Sequence, residues 1–127
     1  MTQKTLKTIG WVITSCLALI FAMSAFMKLS QNEEAIAQAA AIGIDALTYQ
    51  IIGVVEVVAL LLFLIPRTSL LGSLLLIAYM GGAIATHLQH QQPMTIALTV
   101  EILLWIVVII RYPDVRQRLL PIPTKAH

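Results

Sequence analysis

The sequence predicts an all-α membrane protein. The expected form is a four-transmembrane-helix antiparallel bundle with a short amphipathic surface helix between the first two spans. Three observations lead there. Of the 127 residues, 59% are hydrophobic and only 11% charged, where soluble domains carry about a quarter charged residues. The apolar residues fall into four stretches, each near the roughly 20 residues that cross a hydrocarbon core. Almost all of the Lys and Arg residues lie on one side of those stretches. A water-soluble domain of this length has too little interior to hide so much apolar surface, whereas a bilayer solvates it.

The first stretch runs from Ile9 to Met27 and carries no charge before Lys28. Lys4 and Lys7 precede it like the n-region of a signal peptide, but its 19 apolar residues exceed the ~7–15 of an h-region. A retained first span over 9–27 is expected. Cys16, the single cysteine, cannot form a disulfide within the chain. It reads as a small buried hydrophobe.

The connection from Ser30 to Leu47 is the one long enough to hold structure. Ser30 with Glu33 fits a capping box, followed by a run of helix formers. Ile36, Ala39, Ala40 and Gly43 recur at helical spacing opposite the polar Glu34, Gln38 and Asp45. A surface helix over about 31–42 is expected, lying on the membrane against the bundle. The remaining spans are expected over 48–65, stopped by Pro66-Arg67; over 68–88, dissolving into Gln89-His90-Gln91-Gln92; and over 94–110, opened by Pro93 and closed by Arg111-Tyr112-Pro113. Their short connections favour an up-down-up-down arrangement within a single membrane domain covering residues 1–127.

Orientation follows from Lys and Arg. Lys4, Lys7, Arg67, Arg111, Arg116, Arg118 and Lys125, seven in all, lie on the side of the termini, and only Lys28 lies opposite. Both termini are therefore expected in the cytoplasm of a bacterial cell, with the protein in its inner membrane. The net charge of +2 and the lack of a basic stripe argue against a nucleic-acid partner.

Ionisable groups inside spans carry the functional signal, because each costs ~2.5–3.5 kcal/mol at a helix centre. Glu56 and Glu101 both qualify. Each lies seven residues past the outer entry of its helix, about 10 Å down at 1.5 Å per residue, in the outer half of the bilayer. Gly53, Ala59 and Tyr49 share the face of Glu56, while Ala97 and Trp105 flank Glu101. Ala78, Gly82 and Thr86 form a small-residue ladder in the third span that permits close helix approach. Lys28, above Ser24, and His87 lie at the outer ends of the other two helices. The four groups Lys28, Glu56, His87 and Glu101 make a candidate pocket of two bases and two acids, one from each span. Within this pocket, Glu56→Gln is expected to insert, assemble and melt nearly as before or slightly higher, because it removes a costly buried charge. His87 and His90 are too loosely spaced for a metal site, and no nucleophile–base pair, phosphate loop or haem or iron–sulfur pattern is visible.

Several of these residues fall into a known order. The first span ends in Phe21-x-x-Ser24-Ala25-x-x-Lys28-Leu29. The second carries Gly53-x-x-Glu56 and closes in Leu64-Ile65-Pro66-Arg67-Thr68. The third begins with Leu71-Gly72 and contains Tyr79-Met80-Gly81-Gly82-Ala83 before His87. From about Gly10 to Tyr112 the chain resembles the DoxX-like family of small four-helix membrane proteins. Ala25 departs from the glycine expected before the family lysine. The resemblance carries over Lys28, Gly53, Glu56, Tyr79 and His87; Glu101 rests on its position in the span alone. It implies kinship with subunits of membrane oxidoreductases that deliver electrons to quinone, a thiosulfate-oxidising complex among them. It also implies kinship with oxidative-stress assemblies and with more distant receptor chaperones.

The leading expectation is thus a membrane subunit that binds a lipophilic small molecule, a quinone, with no covalently bound cofactor and no metal. Its partners would be the lipid bilayer and either a protein subunit or further copies of the chain. Two alternatives stay open: an assembly or chaperone subunit without chemistry, and a small proton-coupled transporter. Whether the protein is an enzyme is left open.

Overall fold

The computed structural model describes residues 2–121. Lys125 lies outside them. The described chain is helical throughout: α1 Gln3–Ser30, α2 Glu33–Ala41, α3 Ala46–Leu64, α4 Ser69–Gln89, α5 Thr95–Arg111 and α6 Pro113–Leu119. By length and composition α1, α3 and α4 can each cross a membrane. A fourth candidate is α5 taken with α6, which turns away from it by 112°. These bounds follow the expected stretches closely, except that α1 runs several residues further at both ends. Lys4 and Lys7 interrupt the hydropathy but not the helix, since lysine is a good helix former.

The connection after α1 differs from the expected capping box. Ser30 is still helical, and its hydroxyl donates to the Met27 carbonyl at 3.1 Å. Gln31 then ends the helix in the left-handed region at φ 51°. Asn32 caps α2 instead, its Oδ1 accepting the Ala35 N–H at 2.8 Å. Asparagine serves a cap as well as serine, and the extra turn of α1 displaces the cap by two residues. The inner face of α2 is also rotated. Ala35 and Ala39 are fully buried beside Tyr49, Met27, Ile42 and Ile44, whereas Ile36 and Ala40 are exposed.

Asp45 caps α3, accepting the Thr48 N–H at 2.9 Å. Hydrogen bonds from Thr48, through its side chain and then its backbone, hold the Asp45 carboxyl below its ordinary value of 3.8. A depressed carboxyl contributes stability above its unfolded-state pKa and loses it as pH falls through the folded value. Asp45→Ala is therefore expected to lower the melting temperature at pH 7. The gap to wild type should narrow as pH drops below 3.8, as thermal melts across an acid series would show. A gap that stays constant into acid would mean the ionised cap contributes nothing.

The long helices touch in the cycle α1–α3–α4–α5–α1, enclosing Leu17, Phe21, Leu60, Phe63, Leu76 and Leu104. Gly72 makes the closest approach: α4 lies against the backbone of Leu62 and Phe63 there. The expected ladder does not perform this role. Ala78 and Gly82 are exposed, and a Cβ on Gly82 would meet nothing within 4 Å. Cys16 is likewise exposed and not buried. Met23, Phe26 and Ile96 are exposed too, at 69%, 71% and 80%. The outside of the bundle is as apolar as its inside, so an apolar residue carries little information about which side it faces.

Candidate functional site

Lys28 lies in the last turn of α1, and its side chain leans back along the helix toward Ser24, as long helical side chains do. Its Nζ donates to Ser24 Oγ at 2.5 Å and to Glu56 Oε1 at 3.3 Å. Ser24 Oγ donates to the same carboxylate oxygen at 3.2 Å. Glu56 is 1% exposed and Lys28 8%. Gly53, one turn before Glu56, permits this approach of α1 to α3: a Cβ there would stand 2.8 Å from Lys28 Cβ. Burying two ions costs several kcal/mol each. The ion pair and the Ser24 hydroxyl offset part of that cost, as do two aromatic faces. The rings of Tyr49 and Tyr79 have their centroids 5.2 and 5.9 Å from Nζ, within cation–π range. Phe21 holds Tyr79 by an edge contact at 6.4 Å.

Two cavities adjoin the pair and share Lys28, Tyr49, Tyr79, Ala83 and His87 as walls. One, of about 310 Å³, runs under Ile42 and Ile44 and along Gly82 and Thr86. The other, of about 380 Å³, takes in Ser24 and Glu56 and reaches the exposed Ile20 and Ile96. It thus extends from the buried ion pair to the apolar flank of the bundle. His87 Nδ1 lies 2.7 Å from the Ala83 carbonyl. A carbonyl only accepts, so this contact needs the proton on Nδ1, and Nε2 of the neutral ring is then an acceptor.

Of the residues singled out in the sequence, Lys28, Glu56, Tyr79 and His87 come together around these cavities, and Gly53 packs against Lys28 without lining either. Glu101 does not join them. It lies on α5 against α4, with Oε2 3.8 Å from where a Cβ on Gly81 would be, and lines neither cavity. Its Oε1 is buried with no hydrogen-bond partner among the described residues. The buried seam of α5 is Ala97, Val100, Leu104, Val107 and Val108, and Glu101 falls on its flank. The four-group pocket is therefore a cluster of three, with Ser24, Tyr49 and Tyr79 completing it. Ser24 and Tyr49 carried a readable signal. Ser24 is one turn before Lys28, and Tyr49 two turns before Glu56, so each shares a helix face with one member of the ion pair. Ile42, Ile44 and the α2 residue Gln38 did not stand out, because the helical spacing of this connection set Gln38 on the polar face and does not reveal what the segment covers.

Among curated proteins and among solved structures, nothing matches the chain. The DoxX-like family model matches residues 12–110, which takes in α3 and α4 whole, α1 from Val12 onward, all of α5 but Arg111, and every residue of the Lys28–Glu56 cluster. The chain belongs to the DoxX-like family.

Proposed function

We propose that this protein is a quinone-binding membrane subunit of an oxidoreductase-type assembly. In this reading α1, α3, α4 and α5 are four antiparallel spans of a bacterial inner membrane, both termini are cytoplasmic, and α2 lies on the outer surface. One observation carries it: a buried Lys28–Ser24–Glu56 cluster opens between two tyrosine rings into a cavity that reaches the apolar flank of the bundle. A quinone suits that shape, with a flat polar head on a long apolar tail. The Lys28 ammonium has three donors. Ser24 and Glu56 take two of them, leaving one for a quinone carbonyl, while Tyr49 and Tyr79 flank the ring.

Reduction of a quinone to a quinol takes two electrons and two protons. The electrons come from a redox partner subunit, since the chain has no ligation pattern for haem or an iron–sulfur cluster. The protons come through Glu56 and His87; with Nδ1–H held by the Ala83 carbonyl, Nε2 of the neutral ring would accept the proton of a quinol hydroxyl in the reverse step. The transporter reading is less favoured, because a carboxylate that exchanges protons for a cation must be free, and Glu56 is engaged by Lys28.

Mild extraction followed by solvent extraction and mass spectrometry tests the proposal. Quinone is expected with the wild-type protein at close to one per chain, and is expected to be lost in Lys28→Met. A protein partner without quinone would favour the assembly reading, and cation-driven proton flux in liposomes the transporter.

A further inference from the structure

The opposite end of the bundle holds a third cavity, unrelated to the Lys28–Glu56 cluster. It measures about 540 Å³ and lies between the first turns of α1, the end of α5 and the start of α6. Its walls carry four cations, Lys4, Lys7, Arg111 and Arg116, and no carboxylate. The nearest acid in sequence, Asp114, is exposed and outside the lining. Four like charges facing one space repel each other, and a bound anion relieves that repulsion.

Arg111 is held in place for such a role. Its guanidinium lies 4.3 Å from the Trp11 ring centroid and 5.5 Å from that of Tyr112, and Nη1 donates to Thr14 Oγ1 at 3.3 Å. A guanidinium has five N–H donors, and among the described residues only Thr14 engages one of them, which leaves donors for an anion. Gly10 lets this arginine lie across α1, since a Cβ there would be 3.1 Å from Arg111 Cγ.

Depth decides what kind of anion fits. The 112° turn between α5 and α6 sets α6 across the bundle axis; in the proposed arrangement of spans, on which this inference rests, the hydrocarbon layer ends at that turn. Trp11, 45% exposed in the cavity wall, is a residue type enriched at that level. Leu6 and Ile110 add apolar wall beside the cations. A site with charge on one side and apolar surface on the other suits an ion that is itself amphipathic. Basic pockets between membrane helices hold lipid headgroups in this way.

We infer that Lys4, Lys7, Arg111 and Arg116 form a binding site for the phosphodiester headgroup of an anionic glycerophospholipid. The site anchors and orients the α1–α5–α6 end of the bundle, independently of what the other cavity binds.

Native mass spectrometry of the purified full-length protein in detergent, titrated with phosphatidylglycerol or with zwitterionic phosphatidylcholine, tests this. Phosphatidylglycerol is expected to bind at least tenfold more tightly. Lys7→Gln combined with Arg116→Gln should weaken it by about 30-fold, corresponding to two near-surface cations. Arg111 stays unaltered in these variants because it also holds α1 to α5. Arg67→Gln with Arg118→Gln removes two exposed cations outside the cavity, and should weaken binding by less than threefold. Equal losses in the two double variants would mean diffuse attraction and would overturn the site. Equal binding of both lipids would overturn it too. Inorganic phosphate at millimolar concentration is expected not to compete, and effective competition would reassign the site to a free anion. Circular dichroism checks that both variants remain folded. If Lys7→Gln/Arg116→Gln unfolds, the single Lys7→Gln variant, altered only at an exposed side chain, carries the same comparison with an expected loss of about fivefold.

Discussion

Lys28→Met and Glu56→Gln, each alone, are expected to destabilise the protein by about 3–5 kcal/mol, and the double variant by less than either. Each single change leaves one buried ion without its counter-ion. The double change removes both charges together with the cost of desolvating them. Lys28→Met should be the larger effect, since Glu56 is 1% exposed and keeps only the neutral hydroxyl of Ser24, with that of Tyr79 nearby, among the described residues. In Glu56→Gln the lysine has a flexible stem near the end of α1 and can turn its ammonium toward water. From the cost of the buried charge alone, the sequence predicts that Glu56→Gln folds nearly as before; the 3.3 Å pair with a Lys28 that is itself buried reverses that expectation, because the substitution strands the lysine's charge. Thermal unfolding in detergent of the four proteins forms a double-mutant cycle, and a coupling above about 1 kcal/mol is expected for groups in direct contact. Additive losses would mean that the two groups do not interact. On the proposed function, quinone binding is lost in all three variants, including the stable one, which separates the pocket's role from its contribution to folding.

The second large effect is expected at Gly72. A Cβ at this position would overlap the backbone of Phe63 and lie 2.5 Å from the carbonyl carbon of Leu62. No side chain is there to swing aside, so α4 itself must move away from α3. Overpacking of this kind costs about 1–3 kcal/mol and occasionally more. Gly72→Ala should reach the upper part of that range, and Gly72→Val should prevent assembly of the α3–α4 hairpin. Gly82→Ala is the control. Open space surrounds it, and alanine is favoured over glycine inside a helix by up to about 1 kcal/mol, so its melting temperature should hold or rise. Fluorescence-detected size exclusion after a heating series would rank the three. A Gly82→Ala protein less stable than Gly72→Ala would reinstate the Ala78–Gly82–Thr86 ladder as the close contact.

The sequence by itself determined the helices and the pairing chemistry. Four apolar stretches bounded by Lys28, Pro66-Arg67, Pro93 and Arg111-Tyr112-Pro113 lie within a few residues of α1, α3, α4 and α5. Length, hydropathy and helix breakers are local properties, readable without knowing what a helix touches. Lys28, Glu56 and His87 stood out for a similar reason: an ionisable group in apolar surroundings is costly wherever it points.

Only the tertiary structure decided how each helix is turned about its own axis. In a soluble protein the polar face reveals that rotation. Here lipid and core are both apolar, so Gly72 and Gly82, or Cys16 and Leu17, look alike in sequence, yet one of each pair is buried and the other exposed. The same degeneracy took Glu101 out of the pocket, because a rotation of α5 that sets it on the flank of the seam leaves the hydropathy unchanged. It also hid the basic cavity. Lys4, Lys7, Arg111 and Arg116 come from the two ends of the chain, and they converge only because α5 returns beside the start of α1 and the chain then turns by 112° into α6.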